Sequence, residues 1–273
     1  MYLSLYLFLA SRRSFCPTRT QGIRSKQRIV VSCHRPSRHI AAANISKAGG
    51  WAYCFMATMA TSFFAGHIAG AIPYIYKDGA GCGACFQVRC KNPKLCTSKG
   101  TVVMVTDLNT GSQTDLVLSS RAFRAMARPG ADADKYLLTQ GIVDVEYQRV
   151  PCNYGKRNLH VRVEEASKKP NYLAIKLLYQ GGQTEVVGID IAQVGSSQWS
   201  YMTRSHGAVW ATDKVPTGAL QFRFTVTGGY DGKTVWAKRV LPASWKAGRI
   251  YDAGVQITDI AQEGCDTCSH IWN

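Results

Sequence analysis

The chain of 273 residues has a formal net charge of +16 and 46% hydrophobic residues, enough apolar content to bury one or two domain cores. Its 6 Trp, 13 Tyr and 9 Phe exclude an intrinsically disordered chain. Because no apolar run reaches about 18 residues, no transmembrane helix is predicted.

The positive charge is concentrated at the N-terminus. Residues 1–45 contain seven Arg, one Lys and no acidic residue. The remainder is moderately basic, which favours anionic partners such as nucleic acid or acidic polysaccharide. No motif has the spacing that a nucleic-acid-binding module requires, so nucleic acid is not expected as a partner.

The first residues form an unusual targeting segment. A short apolar run at 2–10 is followed by Arg12 and Arg13, with no basic residue before it, which is atypical of a secretory signal. The Arg- and Ser-rich stretch that follows is more typical of a transit peptide, and a mis-predicted start exon is the third alternative. Residues 1–45 are therefore left out of the predicted fold.

The first half of the remaining chain reads as short strands with one helix. Strands are predicted at Ala84–Cys90, Thr101–Asp107 and Ile142–Tyr147 from their apolar, β-branched or alternating patterns. A helix over Arg121–Arg128, capped by the preceding serines, presents its apolar residues on one face. The Pro- and Gly-containing stretch 151–155 marks a boundary.

The second half contains a series of β-rich runs separated by glycine turns. Many short strands at regular spacing indicate an all-β sandwich. The predicted strands are Leu159–Val163, Tyr172–Tyr179, Thr184–Ile191, Ala219–Thr227, Thr234–Val240 and Val255–Ile260.

Cysteine is abundant, with 10 residues, and half of them lie in or near one region: Cys82, Cys85, Cys90, Cys96 and Cys152. This clustering favours a disulfide framework, because the spacing is too short for the usual zinc ribbon. Near the C-terminus, Cys265, Cys268 and His270 provide three ligands, and a local disulfide or free thiols are favoured over a metal site. No metal or other cofactor is expected.

Eight motifs follow one another along the chain. They are Tyr76–Cys90 (YKDGAGCGACFQVRC), Val105–Asn109 (VTDLN), Ser119–Ala127 (SSRAFRAMA), Val150–Cys152, Asn171–Ala174 (NYLA), Gly207–Trp210 (GAVW), Val240–Trp245 (VLPASW) and Gly254–Ile260 (GVQITDI). These motifs, in this order, resemble those of plant expansins, and the nearest subgroup is the expansin-like A proteins. The resemblance runs from about Ile45 to Cys265.

The resemblance implies an all-β protein with two domains. Residues 46–155 would form a six-stranded double-psi β-barrel related to a glycoside hydrolase family. Residues 156–255 would form an Ig-like β-sandwich that binds carbohydrate, and 256–273 a tail.

The resemblance also implies a function. The protein is expected to be secreted to the cell wall as a monomer and to bind cellulose, xyloglucan or arabinoxylan, loosening the wall without hydrolysis. The alternatives are a weak endoglucanase-like hydrolase or lytic transglycosylase, and a degenerate family member that is plastid-located or otherwise not secreted.

The expected barrel site lacks a second carboxyl group. Glycoside hydrolysis usually needs two, and the related hydrolases carry one in a His-Phe-Asp tripeptide. Here the aligned residues are Asp115, Leu116 and Val117, so valine occupies the proton-donor position, and a family Thr-x-Tyr is absent before Trp51. By resemblance Asp107 would bind sugar hydroxyls, although an Asp in this pattern also binds its own backbone. No catalytic residue is therefore assigned.

On the sandwich, sugar binding would rest on aromatic rings, since the apolar face of a pyranose stacks on them. By resemblance the candidates are Tyr172, His206 and Trp210, and Trp199 also matches a family aromatic; a core position is the alternative for both tryptophans. A basic rim is predicted from Lys176, Lys238, Arg239 and Lys246.

The resemblance pairs Cys90 with Cys96 and Cys85 with Cys152. The usual partner position of Cys82 is Trp51 here. Cys54, three residues further on, is the candidate substitute; otherwise Cys82 would be a free thiol.

Overall fold

A computed structural model describes residues 38–43, 54, 65–111, 114–130, 132–228 and 231–260. Strands are the predominant regular element among these residues, as the sequence predicts. Among the described residues, no helix is both long and apolar enough to cross a membrane.

A closed barrel forms from strands in the first half of the chain, in the order β1-β5-β2-β4-β3-β6. The strands are β1 (Arg38–Ala43), β2 (Ile68–Ala71), β3 (Cys85–Cys90), β4 (Thr101–Leu108), β5 (Leu116–Ser119) and β6 (Ile142–Val150). Between them lie α1 (Pro73–Tyr76), a 3₁₀ turn (Lys77–Gly79), α2 (Ser120–Ala125) and α3 (Ala133–Gln140).

Helix α2 begins where the sequence places its cap. The Ser119 hydroxyl accepts a hydrogen bond from the Ala122 amide at 3.2 Å, which satisfies one of the unpaired donors of the first turn. Ala122, Phe123 and Met126 are buried in the barrel core, as the predicted apolar face requires. The helix ends at Ala125, three residues before the predicted end.

A β-sandwich forms from the second half of the chain. Its strand order is β13-β12-β9-β10-β11-β8-β7-β14, and β10 joins the two layers because it pairs with β9 near its start and with β11 near its end. One hydrophobic core contains side chains of both layers, among them Ile175, Trp210 and Phe222. The strands are β7 (His160–Val163), β8 (Leu173–Leu178), β9 (Val186–Gln193), β10 (Ser200–His206), β11 (Val209–Thr212), β12 (Leu220–Gly228), β13 (Asp231–Leu241) and β14 (Ile250–Asp252).

Two sequence predictions are corrected by the fold. The predicted strand Val255–Ile260 is wrong: these residues form only an isolated bridge between Ile260 and Gln183, and the last strand within the described residues is β14, which pairs with β7. In this segment the Gln256 side chain makes hydrogen bonds that a neighbouring strand would otherwise make. Its Nε2 donates to the Tyr179 carbonyl, and its Oε1 accepts from the Ile257 backbone N–H. The barrel domain was predicted to begin at residue 46, which is also too late, because Arg38–Ala43 pairs with β5 and β6 inside the barrel.

Three disulfides join described cysteines. Cys54 pairs with Cys82, Cys85 with Cys152, and Cys90 with Cys96, with Cα–Cα distances of 5.5, 5.3 and 5.9 Å. These include the substitute pairing proposed for Cys82. Residues Trp51, Cys265, Cys268 and His270 lie outside the described residues.

Two of the contacts between the barrel and the sandwich involve Glu185 and Gly79. Glu185 accepts hydrogen bonds from Lys77 at 2.6 Å and from Arg149 at 3.2 Å, so one half-buried carboxylate holds two barrel cations. Gly79 lies so close to Gly207 that a Cβ on Gly79 would be 2.3 Å from the Gly207 carbonyl oxygen. Only glycine, which lacks a Cβ, allows the two backbones to approach this closely.

We expect the stability of the protein to fall at acidic pH. Hydrogen bonds from Arg162 lower the pKa of Glu165 below its usual 4.5, and the Gly254 amide, with help from Asn158, lowers the pKa of Asp252 below 3.8. A carboxyl whose pKa is depressed by folding stabilises the fold above its unfolded pKa, and this is lost as pH falls through the folded pKa. The melting temperature should therefore fall below about pH 4, and less steeply in Asp252→Asn. If the melting temperature of Asp252→Asn fell with pH as steeply as that of the wild type, Asp252 would not contribute to the acid sensitivity.

Candidate functional site

A row of residues crosses three barrel strands on the outer face. Gly70 on β2 pairs with Asp107 on β4 and with Val117 on β5. The register shifts beside Gly70, so that Val105 pairs with Ala69 but Asp107 with Gly70. Such a bulge re-aims a side chain, and here it turns Asp107 outward, where its Cβ lies 3.9 Å from the position of a Cβ on Gly70.

Asp107 and Val117 therefore lie on either side of Gly70. They are separated by two strand spacings, about 10 Å, and both side chains are half-buried. Gly70 adds no side chain between them, and the Asn109 Cβ also lies 3.9 Å from the position of a Cβ on Gly70. We take this row as the candidate groove.

The loop after Asp107 is held by side chains. Asp107 accepts a hydrogen bond from the Leu108 amide at 2.8 Å, as expected for an Asp that binds its own backbone. The Asn109 amide donates to the Thr114 carbonyl at 2.7 Å and its oxygen accepts from the Gly111 amide at 3.0 Å. These bonds fix the edge of the groove.

Asp115 occupies a different environment. It precedes β5, is buried, and accepts a hydrogen bond from the Tyr147 hydroxyl at 2.7 Å. Tyr147 also packs edge-on against Phe86 at 6.1 Å, so it reaches Asp115 from the barrel core. Sequence reasoning missed Tyr147, because nothing in its strand pattern indicates a partner 32 residues away.

On the sandwich, Tyr172 and His206 share one face. His206 pairs with Val209, and Val209 with Lys176, so these three form a row across β10, β11 and β8. Tyr172 directly precedes β8 and lies four residues before Lys176. If the alternation of β8 is continued by one residue, Tyr172 has the same facing, about 13 Å along the strands and about 10 Å across them from His206. His206 is exposed and Tyr172 is half-buried.

Lys176 is not part of a basic rim, which corrects that prediction. Its side chain is only 2% exposed, and its ammonium group donates to Glu164 at 3.2 Å. Burial lowers the pKa of Lys176, and the Glu164 carboxylate opposes that shift. Lys238, Arg239 and Lys246 are exposed.

Trp210 is a core side chain rather than a sugar platform. Its ring is 2% exposed, and the Arg204 guanidinium lies over it at 4.2 Å. The register explains this, because Trp210 pairs with the core residue Ile175. The prediction that Trp210 contacts polysaccharide is therefore wrong.

Trp199 lies in the other layer from His206, half-buried, with its ring centroid 5.4 Å from that of Trp236. Within the described part of the chain, no group of three or more His, Cys, Asp or Glu residues is placed to hold a metal ion.

A closed barrel followed by a β-sandwich is the two-part architecture that the sequence resemblance to expansins predicts. Family models match both parts: the lytic transglycolase model over residues 68–147 and the expansin C-terminal domain model over residues 159–242. The all-β prediction of a double-psi barrel and a sandwich is thereby confirmed.

Relatives place the chain within that class. It is 89% identical over 220 residues to expansin-like A3 of Arabidopsis thaliana, covering 81% of this chain and 84% of the relative. It is 74% identical over 248 residues to expansin-like A1 of the same plant, covering 89% and 94%. The chain belongs to the expansin family, among the expansin-like A proteins.

Solved structures agree in fold. The apo expansin of Clavibacter michiganensis superposes with a TM-score of 0.61 at 22% identity, covering 81% of this chain and 98% of that one. A mutant of that expansin in complex with cellohexaose gives a TM-score of 0.60 at 21% identity, covering 81% and 96%.

Proposed function

We propose that this protein binds plant cell-wall polysaccharide across the barrel groove and the sandwich face, and loosens or modifies the wall without hydrolysing it. The observation that carries the proposal is the row on the barrel, in which Asp107 stands across Gly70 from Val117 rather than from a second carboxyl group.

Hydrolysis of a glycosidic bond requires an acid for the leaving oxygen and a base or nucleophile on the other side. Valine transfers no proton, so the position that the related hydrolases use for the acid cannot supply one here. Asp115 does not replace it, because its carboxylate is buried against the Tyr147 hydroxyl. Asp107 would then serve as an acceptor for sugar hydroxyls.

Binding would be shared with the sandwich. The Tyr172 ring offers an apolar surface to a pyranose, and His206 adds a smaller, more polar ring on the same face. The crystallised expansin mutant from Clavibacter is in complex with cellohexaose, which supports a β-glucan as ligand. Cellulose, xyloglucan and arabinoxylan are the candidate polymers, bound by a monomer.

The proposed domain division follows the fold. The barrel domain would end at residue 155, and its start would move from residue 46 towards the N-terminus to include β1. The carbohydrate-binding domain would cover 156–255, and 256–273 would form the tail. A protein with this ligand would act in the extracellular cell wall.

Tyr172→Ala should weaken binding to cellulose. Removing the ring eliminates its apolar contact with sugar, which is worth about 1–2 kcal/mol, or a factor of about 5–30 in affinity. Binding is measured by sedimentation of the full chain with cellulose and arabinoxylan, and reducing sugar is assayed in the same tubes. Tyr136→Ala is the control, since Tyr136 is an exposed tyrosine on α3, away from the proposed face.

Binding without sugar release, weakened in Tyr172→Ala and unchanged in Tyr136→Ala, would support the proposal. Sustained release above background would instead identify a weak glycoside hydrolase. A folded protein that neither binds nor releases sugar would be a degenerate family member.

A further inference from the structure

A second aromatic surface lies on the other layer of the sandwich. Tyr201 on β10 pairs with Asp190 on β9, Asp190 with Arg223 on β12, and Arg223 with Trp236 on β13. These four residues form one straight row across four strands. They alternate with core residues of the same strands, so the row lies on the outer face of its layer.

The two aromatic residues at the ends of this row are open to solvent. Tyr201 is 59% exposed and Trp236 is 49% exposed. Three strand spacings separate their positions, about 14 Å. Tyr172 and His206 belong to the opposite layer, so the two aromatic surfaces of the sandwich face in opposite directions.

Contacts with neighbouring side chains order the Trp236 end of the row. The Arg223 guanidinium lies 4.8 Å from the Trp199 ring and 5.8 Å from the Trp236 ring, and the two rings meet edge-to-face. Arg223 also donates a hydrogen bond to Asp190 at 2.8 Å. The guanidinium group is therefore held by the carboxylate on one side and by the two tryptophan rings on the other. An ordered aromatic surface loses little side-chain entropy when a ligand binds.

Tyr201 leans over a glycine. Its Cε2 atom lies 3.8 Å from the position that a Cβ on Gly188 would take, so the ring rests over β9. Thr225, which pairs with Gly188, lies at 3.4 Å from the same position. One side of the Tyr201 ring is thus supported by the strand, and the other is available for stacking.

We propose that this row is a second polysaccharide-binding surface, and that one molecule bridges two polysaccharide chains through its opposite faces. The inference rests on the proposed function and extends it. Tyr201 and Trp236 stack on the apolar faces of two pyranose rings, while the ion pair between them offers N–H donors and carboxylate acceptors to hydroxyl groups.

The pattern fits a sugar chain better than a protein partner. Protein hot spots cluster at the centre of an interface, in well-packed pockets surrounded by contacts that exclude water. Here the exposed rings lie at the two ends of a flat row, and the centre is an ion pair whose charges cancel. A ligand with repeating apolar faces and hydroxyl-bearing edges matches that spacing.

The test measures bridging with the full chain. Cellulose particles are mixed with protein and fluorescent cellohexaose, and the recruited fluorescence and the bound protein are measured separately. The double variant Tyr201→Ala, Trp236→Ala should still bind cellulose through the Tyr172 face but recruit at least about fivefold less cellohexaose. Tyr136→Ala is the matched control, and the single variant Trp236→Ala provides a milder substitution if the double variant unfolds.

Equal recruitment by wild type and the double variant, with cellulose binding intact, would overturn the second surface and leave the proposed function standing. Absence of cellulose binding by the wild type would overturn both. A wild-type dimer that the double variant converts to a monomer in light scattering would identify the row as a self-association surface and overturn the inference.

Discussion

Replacing Cys85 and Cys152 by serine is expected to lower the free energy of unfolding by about 2–5 kcal/mol. The disulfide closes a loop with a sequence separation of 67 and lies in a buried cluster with Tyr154. Removing it releases the unfolded chain from that loop and places two hydroxyl groups in an apolar site. Denaturant unfolding followed by fluorescence measures the loss.

The disulfide of Cys90 and Cys96 provides the matched control. Its cysteines are also buried, but the sequence separation is only 6. Loop-closure entropy grows with the logarithm of loop length, so replacing this pair by serine should destabilise by about 2 kcal/mol less. Equal losses from both pairs would show that burial rather than loop length governs the effect.

Gly79→Ala is expected to disrupt the contact between barrel and sandwich. The new Cβ would lie 2.3 Å from the Gly207 carbonyl oxygen, a backbone atom that moves only if the sandwich moves. Overpacking of this kind destabilises by about 1–3 kcal/mol, in addition to the strain of a positive φ. Binding of long polysaccharides should also weaken, because His206 neighbours the displaced glycine.

Gly130→Ala separates the two contributions. Gly130 has φ +97°, close to the +94° of Gly79, but nothing lies within 4 Å of its added Cβ. It should lose only the strain energy, about 1–2 kcal/mol, and bind cellulose normally. Equal destabilisation by the two variants would mean that the close approach to Gly207 contributes nothing.

The sequence predicts the fold well where periodicity is strong. The runs that became β4, β6 and β12 have clear apolar or alternating patterns and lie near the predicted positions. The short strands β2 and β5 were not predicted, because four residues carry too little pattern. Strand β1 is rich in alanine, a helix former, so its pairing in the barrel comes from tertiary context.

The candidate site is less predictable, because it depends on register. The bulge that turns Asp107 outward involves one extra residue and leaves no mark on the hydrophobic pattern. Trp210 was misassigned for the same reason. A tryptophan can serve as a sugar-binding platform or as a core residue, and only its pairing with Ile175 shows that it faces the core. The row from Tyr201 to Trp236 is drawn from four strands, and only their alignment reveals it.

Strand β10 belongs to both layers of the sandwich and carries Tyr201 near one end and His206 at the other. If the two surfaces hold separate wall polymers, part of the tension between them runs along β10, because this strand carries one residue of each surface. Its backbone hydrogen bonds to β9 and β11 lie across the direction of pull and would have to shear together rather than open one at a time. The domain would then act as a mechanical link between polymers, with the hydrogen-bond ladder of β10 as one of the elements under load.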